Sequence, residues 1–164
     1  MQNKEELNKH KKIFFIGIGG IGVSALAKLL KSQGKKVSGS DKYSSEITDE
    51  LRKRGIRVYI GHREKNIDSD TDLVIYSAAV GPEIPEMKKA AELKIKQLSY
   101  PEALGLITEN KDTIAVSGTH GKSTTTAILG LILIEAKLDP TIIVGSKVGP
   151  FKYDNLQIGK SDYF

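Results

Sequence analysis

Two glycine-rich loops, each set between a short apolar run and a helical pattern, restrict this chain to a small set of folds. The run Ile13-Phe14-Phe15-Ile16 stops at Gly17-Ile18-Gly19-Gly20-Ile21-Gly22, after which Val23, Leu26, Ala27 and Leu30 recur at helical spacing and Gly34 follows. An unbroken apolar run fits a parallel strand covered on both faces, and a glycine just past the last helical residue serves as a C-cap. The order is strand, glycine loop, helix.

The same alternation continues. Val37 to Asp41 predicts a second strand, Ile47 to Arg54 a helix closed by Gly55, Ile56 to Ile60 a third strand and Leu73 to Tyr76 a fourth. Pro82 and Pro85 flank the start of a helix that Met87 to Leu93 continues, and Ile95 to Leu98 fits a fifth strand. Strands alternating with helices predict an α/β fold, a Rossmann-like doubly wound parallel sheet. A helical stretch from Pro101 to Glu109 leads to the polar link Asn110-Lys111-Asp112, where a domain boundary is expected. Residues 1–110 then form one unit and 111–164 a second, read as a strand Thr113–Ser117, a glycine loop, a helix Thr124–Ala136, a strand Thr141–Val144 and the approach to another strand at Asp162-Tyr163-Phe164. This second unit reads as the truncated start of a P-loop-type ATP-binding domain. Its sheet is unfinished, and its open edge could pair with another copy to form a homo-oligomer.

Composition narrows the function. Hydrophobic residues at 39% and charged residues at 27% allow a packed core and argue against disorder. Cysteine is absent, which excludes disulfides, thiolate metal sites and cysteine nucleophiles. No apolar run is long enough to span a bilayer, and the opening Met1 to Lys12 is polar and lysine-rich without a signal-type cleavage site, so a cytoplasmic location and no membrane partner are expected. The net charge of +5 comes from lysines spread along the chain with few aromatics among them. That pattern predicts solvated helix faces and a few contacts to phosphorylated ligands, with no nucleic-acid partner.

Each loop has its own chemistry. Glycines Gly17 to Gly22 allow a tight turn and close backbone approach to a pyrophosphate, which the N-terminus of the following helix attracts. Asp41, at the end of the second strand, is the acidic residue expected about twenty residues on for a ribose; a dinucleotide and a UDP-sugar both satisfy that geometry. The second loop is Ser117-Gly118-Thr119-His120-Gly121-Lys122-Ser123-Thr124-Thr125. Backbone amides around Gly121 can cradle phosphates, Lys122 can neutralise charge between the β and γ phosphates, and the Ser123 hydroxyl can ligate magnesium. Val116 stands where the usual P-loop has its first glycine, so this loop is a shortened variant.

The stretch Gly118-Thr119-His120-Gly121-Lys122-Ser123-Thr124 resembles the ATP loop of the Mur ligases, and its histidine is similar to that of the branch that adds L-alanine. Gly17 to Gly22, Ser38-Gly39-Ser40-Asp41, Gly61-His62, Ser77-Ala78-Ala79-Val80 and Asp139-Pro140-Thr141 stand in that family's order, so the resemblance covers nearly the whole chain from Ile13. It implies that the first unit binds the UDP part of UDP-N-acetylmuramate, with Gly17, Gly19, Gly20, Ile21 and Gly22 on the diphosphate and Ser40, Asp41, His62 and Ser77 lining the site. It also implies substrates ATP and L-alanine, with Mg2+ at Ser123, and Lys122 as the catalytic cation for transfer of the γ phosphate to the muramoyl carboxylate. Ser123 replaces the family's more usual threonine and keeps the hydroxyl. The acidic magnesium ligand, the rest of the ATP domain and a C-terminal domain are not among these residues, so the resemblance implies a ligand-binding fragment without turnover. Three alternatives stay open: a murein-peptide recycling ligase on the same UDP-sugar, an NAD-dependent dehydrogenase, and a non-catalytic nucleotide-binding module.

Overall fold

The structure is a computed structural model and describes residues 7 and 9–164. Most of the lysine-rich opening, residues 1–6 and residue 8, lies outside the described residues. Strands β1 (Lys12–Ile16), β2 (Lys36–Asp41), β3 (Arg57–Ile60), β4 (Leu73–Tyr76) and β5 (Lys96–Ser99) form one parallel sheet in the order β3-β2-β1-β4-β5. Helices α1 (Ile21–Ser32), α2 (Glu46–Lys53), α3 (Pro85–Glu92) and α4 (Tyr100–Thr108) connect and cover it. The doubly wound sheet read from the alternation is therefore the observed fold.

β1 lies at the centre, and its composition follows from that position. Ile13 and Phe15 face one core with Leu26, Leu30, Leu51 and Ile75, while Phe14 and Ile16 face the other with Ile67, Val74 and Ala90. Covered on both faces, the strand has no polar side, and none of its four apolar residues is more than 1% exposed. The chain runs outward through β2 and β3, then crosses to β4 and β5 on the other flank of β1. Between β1 and β4 the connections diverge, which opens a crevice at the carboxyl ends of the strands.

The second unit departs from expectation in two ways. Thr113 to Ser117 is not a strand: only Asp112 bridges to Tyr163, supported by Ile114 N–H donating to the Phe164 carbonyl at 2.9 Å. The run is apolar enough for a strand but meets a partner only at its start, and Ile114 is half exposed. In addition, β6 (Ile142–Ile143) pairs antiparallel with β7 (Leu156–Gln157), a short strand that carries no alternation long enough to mark it in the sequence. Helix α5 (Lys122–Glu135) precedes them. Both loop-borne helices, α1 and α5, start two residues earlier than their apolar periodicity suggests, because the glycine loop itself ends in the helical turn.

This hairpin docks on α1. Ala25 and Leu29 of α1 pack against Leu156, and the Lys28 ammonium, on the same helix, donates to Asn155 Oδ1 at 2.7 Å, the Tyr153 carbonyl at 2.9 Å and Glu50 Oε1 at 3.2 Å. Burial pulls the Lys28 ammonium below its ordinary value, with Glu50 opposing. Burial likewise pushes Glu50 up, yet the Arg54 and Lys28 cations outweigh it and hold the carboxyl below its ordinary value. A carboxyl lowered on folding adds stability above the ordinary carboxylate range and loses it as pH falls through the lowered value. Replacing Lys28 with methionine keeps the apolar stem but strands the buried Asn155 Oδ1 and removes a donor from the part-buried Tyr153 carbonyl and Glu50. Lys28→Met is expected to lower unfolding free energy by about 1–3 kcal/mol in urea titrations at neutral pH.

Candidate functional site

At the end of β1 the backbone turns sharply at Gly17, whose φ of +77° lies in the left-handed region that a side chain disfavours. The turn is fixed by Gly17 and Ile18 N–H groups, both donating to the Ser40 carbonyl at 2.8 and 3.0 Å, and by Gly20 N–H donating to the Gly17 carbonyl at 3.1 Å. Gly20 is the N-cap of α1 and provides no side-chain cap, and the first turn carries no acidic residue. The first amides of α1 are thus left for an anion, which the helix dipole also favours.

Around this turn opens a cleft of about 670 Å³, walled by Gly17, Gly20, Asp41, Lys42, His62 and Ser77 together with the segment from Ala79 to Ile84. Five of the nine residues assigned to a UDP-sugar from the sequence come together there: Gly17, Gly20, Asp41, His62 and Ser77. The other four are not among its lining residues. Gly19 N–H donates to Asp41 Oδ2 at 2.8 Å, so this carboxylate shapes the loop as well as facing the cleft. Gly22 packs against the ring of Tyr100, the Ile21 carbonyl accepts from Asn155 of the docked hairpin, and Ser40 is fully buried beneath His62. Ser77 sits at the tip of β4, its N–H on the Ile16 carbonyl at 2.9 Å and its Oγ accepting from Ala79 N–H at 3.3 Å.

Two residues of this region were not singled out from the sequence. Lys42 follows Asp41 and lines the cleft, its ammonium standing 5.1 Å from the centre of the Tyr43 ring; its place directly after a strand end was the available signal. Glu86, in the first turn of α3, is fully buried, accepts from Asn66 Nδ2 at 2.8 Å and lies 3.4 Å from His62 Nδ1. Its Oε2 has no hydrogen-bond partner among the described residues. An unpartnered buried acceptor costs about 1–3 kcal/mol, partly offset by the positive end of α3. Nothing in the sequence marks Glu86, which reads there as one more helix-face glutamate.

The second loop is exposed. Gly121 is the N-cap of α5 at φ +77° with no side-chain cap, and Lys122 is the first helical residue. The Lys122 ammonium folds back onto the carbonyls of Gly118 at 2.5 Å and Thr119 at 3.3 Å. Ser123 Oγ lies toward the turn after β6, 3.7 Å from where a Cβ on Gly145 would stand. Thr119, His120 and Thr124 are exposed around the loop. An uncapped helix start with a lysine able to swing onto a phosphate suits a triphosphate, and Ser123 offers one hydroxyl to a magnesium ion that phosphate oxygens would complete. Among the described residues no cluster of three or more histidine, aspartate or glutamate side chains could hold a metal by itself.

Together the fold and the first loop define a class, an α/β protein whose glycine turn opens on the switch point of a doubly wound sheet. The profile of the Mur ligase family, catalytic domain, matches residues 12–112, and the chain belongs to that family. It is 51% identical over 157 residues to the UDP-N-acetylmuramate--L-alanine ligase of Clostridium kluyveri, covering 95% of this chain and 34% of that protein. The ligase of the same name from Acetivibrio thermocellus is 48% identical over 158 residues, covering 96% and 33%. Among solved structures, the UDP-N-acetylmuramate-alanine ligase of Thermotoga maritima superposes with a TM-score of 0.89 at 36% identity, covering 94% of this chain and 36% of the other. The UDP-N-acetylmuramate:L-alanyl-gamma-D-glutamyl-meso-diaminopimelate ligase of Neisseria superposes with a TM-score of 0.87 at 26% identity, covering 94% and 51%. The chain spans about a third of the length of the curated relatives it matches. Among the described residues no helix is long and apolar enough to cross a membrane.

Two glycines of the first loop separate structural from ligand-facing roles. A Cβ on Gly22 would lie 2.8 Å from the Tyr100 hydroxyl and 2.9 Å from its ring, whereas one on Gly20 meets nothing closer than 3.4 Å. Gly22→Ala is expected to cost about 1–3 kcal/mol through overpacking. Gly20→Ser, which supplies a favoured N-cap, is expected to leave the unfolding midpoint unchanged or raised. Urea unfolding of both variants checks this.

Proposed function

We propose that this chain carries the UDP-sugar-binding unit, residues 1–110, and the ATP loop, in residues 111–164, of a cytoplasmic ligase that joins L-alanine to UDP-N-acetylmuramate. The observation that carries the reading is the presence of two uncapped helix starts behind glycine turns on one chain, the first of them at the switch point of the sheet. A dehydrogenase needs only one. The names of the relatives at 44–51% identity support the alanine-adding reaction over the peptide-recycling one, whose structural relative is 26% identical.

In this reading the amides of Ile21 and Gly22 and the Lys42 ammonium hold the diphosphate, with Ser77, Asp41 and His62 on the rest of the UDP moiety. The reaction needs charge control at the second loop. A muramoyl carboxylate oxygen forms a bond to the γ phosphorus of ATP as the bond to ADP breaks, giving an acyl phosphate. The alanine amine then adds to the acyl carbon, the C–N bond forms, phosphate leaves with the C–O electron pair, and the amine gives up a proton. Lys122 would offset the charge that spreads over the transferring oxygens, and Ser123 would offer its hydroxyl to a magnesium ion, which would supply further neutralisation of phosphate charge. Thr119, His120 and Thr124 frame that loop.

Calorimetric titration tests both halves. The chain is expected to bind UDP-N-acetylmuramate more tightly than NAD, and Gly20→Ser is expected to lose that binding because its hydroxyl satisfies the amides meant for the diphosphate. Tighter binding of NAD would overturn the assignment. For the second loop, Lys122→Ala is expected to weaken ATP at least about tenfold while His120→Ala changes it little, since an ammonium meets phosphate charge directly. The reverse order would place the ATP phosphates elsewhere.

A further inference from the structure

Glu86 has a place in the cleft that the sequence motifs do not assign. Its Oε1 accepts a hydrogen bond from Asn66 Nδ2, which also donates to the Gly61 carbonyl at 3.0 Å, so both amide hydrogens of Asn66 are committed and Oε1 faces them as an acceptor. The same Oε1 stands 3.4 Å from His62 Nδ1. Two acceptors do not face each other in a buried site without a proton between them. His62 Nδ1 therefore carries a hydrogen directed at Glu86, with Ser40 Oγ at 3.3 Å sharing it. Both partners of this ring edge are fully buried, while the His62 side chain keeps 14% exposure and lines the cleft. The edge turned to the cleft is the one that bears Nε2.

We propose that Glu86 is a positioning residue for the UDP-sugar: its buried carboxylate fixes the proton on His62 Nδ1 and so presents Nε2 to the ligand as an acceptor for a hydroxyl or imide N–H of the uridine part. The loop that bears His62 is held at Gly61, whose N–H donates to the Asp41 carbonyl at 2.9 Å and whose carbonyl accepts from Asn66, the residue that also meets Glu86. A carboxyl oxygen held against one ring nitrogen sets which of the two nitrogens carries the proton.

This inference rests on the proposed UDP-sugar cleft, and its test separates the two. Nitrogen-15 NMR of the ligand-free chain reads the protonation of each ring nitrogen, and with His10, His62 and His120 as the three histidines, His62→Ala assigns the signal. Protonated Nδ1 is expected. A His62 ring with the proton on Nε2 alone, as when the Ser40 hydroxyl donates to Nδ1, overturns the proposal whatever the chain binds. Titration with UDP-N-acetylmuramate then compares variants. Glu86→Leu is expected to shift His62 toward the Nε2–H form and to weaken binding about tenfold, matching His62→Ala, with the double variant no worse than either. Glu86→Gln, whose amide oxygen can still accept from Asn66 and His62, is expected to restore Nδ1–H and most of the affinity. Losses that multiply in the double variant, or unchanged affinity in Glu86→Leu, overturn the role. A parent chain with Nδ1 protonated that binds no UDP-sugar overturns the proposed function instead, and with it the ligand for which Glu86 prepares the ring.

Discussion

The carbonyl oxygen of Ser40 accepts hydrogen bonds from both Gly17 and Ile18, and through that one atom the end of β2 dictates how the chain leaves β1. Leaving in any other direction would separate the first amides of α1 from the crevice between β1 and β4. The constraint holds because β1 cannot shift: its four apolar side chains are buried in two cores at once, and sliding it by one residue would exchange the faces of all four. Beneath the turn, the Ser40 hydroxyl meets His62, so the same residue that sets the glycine turn also supports the far wall of the cleft.

Legibility in the sequence followed burial and local chemistry. β1 was visible because a strand covered on both faces must be apolar throughout, and the five strands were visible as alternation with helices, two of whose ends carry Gly34 and Gly55, while their order in the sheet was not. The glycine turns were visible because only glycine tolerates their backbone. Thr113 to Ser117 misled because apolar content reports burial rather than pairing, and its partner, the segment ending at Phe164, lies far along the chain. The hairpin of β6 and β7 was half hidden for a similar reason: two residues per strand are too few to show a period, and the buried Leu156 that marks it joins a cluster with Ala25 and Leu29 of α1, far away in the chain.

Of the candidate site, Gly17, Gly20, Asp41, His62 and Ser77 on the walls were legible, whereas Lys42 beside them and the buried Glu86 were not. His62 follows the end of β3 and Ser77 the tip of β4, positions where a doubly wound sheet gathers ligand contacts. Glu86 acts through tertiary contact alone. It reaches His62 across a separation of 24 residues, and no spacing rule connects a helix-start glutamate to a loop histidine. Asp41 was found for its position at the end of β2, but its bond to the Gly19 amide, which makes it part of the turn, depends on the loop geometry and not on the motif.

Lys28 gives the molecule an internal reporter. Acylating reagents need an amine that solvent reaches and that is free to attack, and this one is 5% exposed with its hydrogens committed to Asn155, Tyr153 and Glu50. Lysines such as Lys42, Lys53 and Lys122 lie open to the same reagents. The lag between their labelling and that of Lys28 therefore times how often the hairpin lifts away from α1, which turns a packing detail into a clock for the seam between the two loops.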